Sequence, residues 1–320
     1  MSISVLGAGA FGTALAITLA NARPDITLWA RDDSAVESMC TERVNALRLP
    51  DAHLPEALGI TSDLTKACQA EIILLVIPTQ RLAAFLETNA ALFAGKILVA
   101  CCKGVDLATG LGPTATIKSK VPSATACVLT GPSFAVDIAA GLPTALTLAG
   151  PSESLKDIQS ELSTPALRLY RTSDVTGAEL GGALKNVIAI ACGAAIGAGY
   201  GESARAAVMT RGYAEIQRLA IALGAEPKTL AGLSGFGDLT LTCTSQRSRN
   251  YSFGYAIGAQ TSFDPNQTVE GAKTAEAVSN LAQKHGIDMP ITRVVAAILA
   301  NKLNIKDAME ALLARPLKEE

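Results

Sequence analysis

Short apolar runs punctuate the first half of the chain at residues 2–6, 26–30, 71–77, 96–101, 125–129 and 144–148, with helical patterns between them. Strands that are apolar at nearly every position are covered on both faces, and strands separated by helices pair in parallel. The pattern predicts an α/β domain built on a doubly wound, mainly parallel sheet. Near Asp174 it changes to long Ala- and Gly-rich helical stretches with hardly a strand signal, which predicts an all-α second domain. The change places a boundary within residues 165–175 and the domains at residues 1–172 and 173–320. A chain of 320 residues also exceeds the roughly 250–300 at which single cores stop growing.

The first apolar run leads into Gly7-Ala8-Gly9-Ala10-Phe11-Gly12 and then into the helical pattern opened by Thr13-Ala14-Leu15-Ala16. A lone G-x-G-x-x-G is a weak signal. Between a strand and a helix it is the dinucleotide fingerprint of a Rossmann-type fold: Gly7 permits the tight turn, Gly9 lets the backbone approach a pyrophosphate, and Gly12 lets the helix pack close. The second run ends in Arg31, where an NAD-selecting protein more often carries an acid for the ribose. Arg31 therefore points to NADP(H) ahead of NAD(H), with a solvated surface charge as the alternative and Asp32 and Asp33 directly behind it.

Ligands of such sheets bind at the carboxyl ends of the strands. Ile77-Pro78-Thr79 closes one strand. Lys103, the only charge at the tip of its apolar run, either polarises a carbonyl or binds an anion, or else merely solvates the strand end. Gly131 and Ser133, in Gly131-Pro132-Ser133-Phe134-Ala135, either meet a ligand or form a turn and a helix cap.

In the second half, Lys185 is the only cation in a helical stretch otherwise fit for burial. A buried lysine is costly unless paired or deprotonated, and burial brings it toward the range useful for general acid or base work; the alternative is a side chain that snorkels to the surface. Asp238 opens a polar segment that runs through Thr242-Cys243-Thr244-Ser245 to Ser248-Arg249-Asn250. Arg forks phosphate bidentately, and a helix start at this triplet would add N–H groups and a favourable dipole, so the segment suggests a phosphorylated substrate. The other reading is a polar loop whose Ser and Asn cap a helix.

Composition narrows the classes. With 27 Lys and Arg against 29 Asp and Glu, the net charge of −2 gives no general basic field for nucleic acid. The seven cysteines form no C-x-x-C pair and mostly sit in apolar runs, as reduced core residues do. His53 and His285 lie far apart, so no metal site is expected. The longest uncharged apolar stretch, residues 187–201, is shorter than the roughly 20 residues of a membrane helix and reads as a buried helix, so no stable membrane insertion is expected. The first strand starts at once, leaving no room for a leader peptide, so the expected compartment is the cytoplasm.

Taken in order, the fingerprint at residues 7–14, Lys103-Gly104, Gly131-Pro132-Ser133-Phe134-Ala135, Leu184-Lys185-Asn186, Gly237-Asp238-Leu239, Ser248-Arg249-Asn250 and Val269-Glu270-Gly271 resemble the bacterial NAD(P)-dependent glycerol-3-phosphate dehydrogenases over nearly the whole chain. The resemblance implies reversible reduction of dihydroxyacetone phosphate to sn-glycerol 3-phosphate, a phospholipid precursor, by a homodimer. It also implies a second domain like the helical domain of 6-phosphogluconate dehydrogenase.

By the same resemblance, Lys185 exchanges the proton at the substrate C2 oxygen, with Lys103 and Asp238 completing the polar site. Gly131 and Ser133 contact substrate, and Ser248, Arg249 and Asn250 hold its phosphate. Ala10, Phe11, Arg31, Lys103, Ala135, Arg249, Thr268 and Glu270 join the three fingerprint glycines around the cofactor. Phe11 stands where the family often has Trp, and Thr268 where it often has Val. Two other readings stand beside this one: a hydroxyacid or ketopantoate-type reductase, which need not have the phosphate triplet, and a nucleotide-sensing protein that binds NADPH without turnover.

Overall fold

The computed structural model describes residues 1–265 and 267–314. The chain divides into two compact units, Met1–Glu179 and Leu180–Glu320.

The first unit runs β1 (Ile3–Leu6), α1 (Ala10–Ala20), β2 (Ile26–Trp29), α2 (Asp33–Glu42), β3 (Val44–Asn45), β4 (Leu49–His53), β5 (Gly59–Thr61), α3 (Leu64–Ala67), β6 (Ile72–Leu75), α4 (Thr79–Thr88), α5 (Ala90–Phe93) and β7 (Ile97–Ala100). It continues through α6 (Pro113–Lys120), β8 (Thr125–Thr130), α7 (Ala135–Ala139), β9 (Thr144–Ala149), α8 (Ser152–Leu162) and β10 (Leu167–Thr172). The main sheet has the order β10-β9-β8-β7-β6-β1-β2-β5. Within it β5, β2, β1, β6, β7 and β8 are mutually parallel. That set is the doubly wound order, whose topological switch lies between β1 and β6. Val5 sits opposite Leu28 on one side and Leu74 on the other.

The apolar runs make these strands because every position is covered. Ile72 and Leu74 of β6 pack with Leu15 and Leu19 of α1, whereas Ile73 and Leu75 pack on the opposite face with Leu82 and Phe93. Full burial of each such side chain contributes about 1.5–3 kcal/mol. The sheet is the mainly parallel one expected, with β9 antiparallel to β8 and β10 parallel to β9. The sequence pattern did not reveal the β3–β4 pair, β5 or β10. Physical reasons are plain: β5 has only three residues, β4 is mostly exposed, and β10 alternates buried Leu167 and Leu169 with exposed Arg168 and Tyr170 instead of forming an apolar run.

From Val175 onward the described chain is helical: α9 (Val175–Gly197), α10 (Gly201–Ala222), α11 (Pro227–Leu230), a π-helical turn at Leu233–Gly237, α12 (Asp238–Cys243), α13 (Arg249–Ala259), α14 (Glu270–Lys284), α15 (Pro290–Leu299) and α16 (Ile305–Leu313). Of the apolar stretch read at residues 187–201, residues 187–197 belong to the longer helix α9, and the rest form the turn into α10. At 23 residues α9 is long and apolar enough to cross a membrane by length and composition, but 83% of its most apolar window is buried within the structure. Leu184, Ile188 and Cys192 of α9 form a core with Leu219 and Val278.

Glycines let α9 and α13 touch backbone to backbone. A Cβ at Gly193 would lie 2.0 Å from the Tyr251 carbonyl oxygen, and one at Gly254 the same distance from that of Ile190. The unit is also tied by Glu215 of α10, 1% exposed, whose carboxylate accepts from Ile291 N at 2.6 Å and Thr292 N at 3.1 Å and so caps α15.

Candidate active site

The parallel strands of the first unit deliver their carboxyl ends to one edge, as the fold requires. After β1, Gly7 adopts φ +121°, and a Cβ there would lie 2.4 Å from the Val76 carbonyl oxygen. A Cβ at Gly12 would meet the Gly7 carbonyl oxygen at 2.0 Å, so only glycine lets α1 spring this closely from the turn. Gly9 differs: nothing lies within 4 Å of its Cβ position, and as N-cap of α1 it adds no side-chain cap. That open helix N-terminus fits a dinucleotide pyrophosphate. Ala10 and Phe11 begin α1 beside it.

At the end of β2, Arg31 is exposed. Asp32 is drawn into the N-cap of α2, accepting from Ser34 Oγ at 2.6 Å and Ala35 N at 2.9 Å, and these bonds hold its carboxyl below the usual range. Beyond β7 and β8 three expected residues come together. Lys103 Nζ donates to Gly131 O at 3.4 Å, and Ser133 Oγ lies 3.5 Å from the same oxygen. Ser133 is not the cap of α7; Phe134 holds that position, and Ala135 begins the helix.

In the second unit Lys185 does not snorkel. Its side chain is 8% exposed and forms an ion pair with Asp238 Oδ1, itself on a side chain 1% exposed. Lys185 Nζ also donates to Thr242 Oγ1 at 2.7 Å, and that hydroxyl donates to the Asp238 backbone oxygen at 2.6 Å. The cluster forms because the π-helical turn ends directly at Asp238, and four residues along α12 return Thr242 to the same face. Burial, with Cys192 beside it, pushes the adjoining Cys243 thiol well up, so it stays an uncharged wall.

The triplet divides its labour. Ser248 caps α13 by accepting from Tyr251 N at 3.2 Å, as the capping alternative anticipated. Asn250 Oδ1 accepts from Gly271 N at 2.9 Å, which joins this motif to Val269-Glu270-Gly271. Arg249 is exposed and lines a cleft of about 390 Å³ with Arg247, Ser252, Tyr255, Ser262 and Gln267. Thr268 is exposed before α14, and half-buried Glu270 is that helix's first residue.

A sequence profile of the NAD-dependent glycerol-3-phosphate dehydrogenase N-terminus matches residues 2–156, and that of the corresponding C-terminus matches residues 174–310. The chain belongs to the NAD-dependent glycerol-3-phosphate dehydrogenase family. It is 60% identical over 321 residues to the glycerol-3-phosphate dehydrogenase (NAD(P)+) of Ruegeria sp. strain TM1040, covering 100% of both chains. Identity to the protein of the same name from Roseobacter denitrificans is 57% over 321 residues, again covering 100% of both. The crystal structure of glycerol-3-phosphate dehydrogenase from Coxiella burnetii is similar with a TM-score of 0.91 at 37% identity, covering 98% of this chain and 99% of that one.

For a member of the glycerol-3-phosphate dehydrogenase family, two residues of this geometry escaped the sequence reading. Thr242 was seen only as one hydroxyl among several, although its i+4 spacing from Asp238 was the available signal. Asn45, 6% exposed, donates through Nδ2 to Ala8 O at 3.0 Å and Thr13 Oγ1 at 2.8 Å, pinning the glycine turn from 37 residues away. Nothing local in the sequence marks it.

Proposed function

We propose that this chain catalyses the reversible NAD(P)H-dependent reduction of dihydroxyacetone phosphate to sn-glycerol 3-phosphate, supplying glycerophospholipid synthesis. The observation that carries the reading is the buried Lys185–Asp238–Thr242 cluster in a chain matched by this family at both ends. Residues 1–172 bind the dinucleotide through Gly7, Gly9, Ala10, Phe11, Gly12, Arg31, Lys103 and Ala135. Residues 173–320 contribute Arg249, Thr268 and Glu270 to the cofactor, and Lys185, Asp238, Ser248, Arg249 and Asn250 to the substrate. Lys103, Gly131 and Ser133 complete the substrate contacts.

When bound, the nicotinamide supplies the hydride for C2 of the ketone. As negative charge develops on the C2 oxygen, the Lys185 ammonium stabilises it and passes it a proton; in the reverse direction the neutral amine takes that proton back. Asp238 pairs with the buried Lys185 side chain, and Thr242 accepts a hydrogen bond from Nζ and so fixes its direction. Arg249 grips the phosphate remote from C2, so binding energy there orients the reacting carbon.

Arg31 supports a preference for NADP(H), because Asp32, the acid beside it, is engaged in capping α2. A homodimer acting in the cytoplasm completes the proposal, on the family resemblance. The purified protein should oxidise NADPH with dihydroxyacetone phosphate and leave 2-ketopantoate and small 2-oxo acids almost untouched. Faster turnover of 2-ketopantoate would favour the pantoate-type reading, and NADPH binding without turnover of any ketone would favour a sensor.

A further inference from the structure

We propose that Gln80, assisted by Thr79, is a positioning residue for Lys103. The proposal rests on the reading of Lys103 as a group that meets substrate or cofactor. Lys103 leaves the end of β7 on a side chain with four rotatable bonds, and the next residue is Gly104 at φ +109°, a conformation open to glycine. Left to itself, such a junction would let the lysine head wander. The first turn of α4 prevents this by gripping the backbone at several points.

Thr79 Oγ1 donates to the Lys103 carbonyl oxygen at 2.8 Å. Gln80 then uses both ends of its amide: Nε2 donates to Val105 O at 2.8 Å, and Oε1 accepts from Leu107 N at 3.1 Å. Bonding to the O of one residue and the N two residues on is what a neighbouring strand would do, so Gln80 acts as a one-residue β-bridge for a segment that has no strand beside it. Past this point Asp106, 8% exposed, closes the loop by accepting from Ala108 N, Thr109 N and Thr109 Oγ1. The segment holding the lysine is thus clamped on both sides of Gly104, and Lys103 Nζ is left directed at Gly131 O. Gln80 is itself an exposed residue, so its amide contributes this order without filling the core.

The test is a double-mutant cycle on kcat/KM for dihydroxyacetone phosphate, using wild type, Gln80→Ala, Lys103→Ala and the double variant of the full chain, with thermal melts alongside. Misplacing a reacting group by about an ångström reduces rate up to about 100-fold, so Gln80→Ala should lose about 10-fold or more in the wild-type background. In the Lys103→Ala background the same change should alter the rate less than about 2-fold, since the group it positions is gone. An equal factor in both backgrounds, or no loss in the single Gln80 variant, overturns the positioning role. A fully active Lys103→Ala single variant overturns the reading of Lys103 itself and the proposal with it. Gln80→Glu, nearly isosteric, covers the case in which the alanine variant does not fold: it keeps an acceptor for Leu107 N but opposes Val105 O with a carboxylate, so it should lose activity similarly. Wild-type rates in Gln80→Glu would contradict the clamp.

Discussion

Lys185 and Asp238 lie 53 residues apart in sequence and form an ion pair whose side chains are 8% and 1% exposed. Such a pair is expensive to break on one side, because the partner left behind is an uncompensated buried charge; the loss is typically about 3–5 kcal/mol. Asp238→Asn should therefore lower the denaturant midpoint as well as the activity, with the double variant Lys185→Met/Asp238→Leu recovering stability but not activity. Denaturant unfolding of the three proteins checks this, and an unchanged midpoint in Asp238→Asn would show that the pair adds nothing to the fold.

Arg249 is the exposed member of its triplet, while Ser248 and Asn250 each hold a neighbouring helix. Arg249→Ala should raise KM for dihydroxyacetone phosphate steeply and affect unphosphorylated dihydroxyacetone, a poor substrate for both proteins, much less. NADPH affinity is measured separately, since Arg249 is also proposed to touch the cofactor. Equal losses toward both ketones with NADPH binding intact would mean that Arg249 does not grip the phosphate.

At the end of β2, replacing Arg31 by Asp should weaken NADPH binding by at least about 10-fold, because a hydrogen bond between charged groups contributes about 1.5–3 kcal/mol and the variant adds repulsion. NADH should be affected far less. Fluorescence titration with the two cofactors gives the answer; matched losses would make Arg31 a structural charge.

Burial pushes the Glu215 carboxyl up from its ordinary value of 4.5, against the pull of the Ile291 and Thr292 N–H groups. The folded chain therefore keeps this proton to higher pH than the unfolded chain. Its contribution is most favourable below 4.5 and declines as pH rises through the raised folded value. Glu215→Gln should remove that decline, so the difference in unfolding free energy between the two proteins should change with pH across the acidic range. Parallel stability curves would contradict the assignment.

The fold was legible where one physical cause dominates a stretch of sequence. Residues 72–77 and 97–101 are apolar throughout because both faces of β6 and β7 are covered, and Gly7 and Gly12 are fixed by clashes that any side chain would create. Lys185 stood out because no other cation shares its helix. What stayed hidden depends on long-range geometry. Asn45 reaches Ala8 only because β3 folds back on the turn, and nothing local in the sequence shows that the Asn250 amide oxygen also holds the N–H of Gly271. Short or amphipathic strands such as β5 and β10 lack the uniform apolar signal by which their neighbours were found.

The role of Lys185 as the proton donor is tested most directly by single-turnover oxidation of enzyme-bound NADPH by saturating dihydroxyacetone phosphate. Lys185→Ala should bind NADPH with near-native affinity yet transfer hydride about 100-fold more slowly or worse, the scale of a lost general acid. Near-native single-turnover rates in a folded Lys185→Ala protein would contradict it.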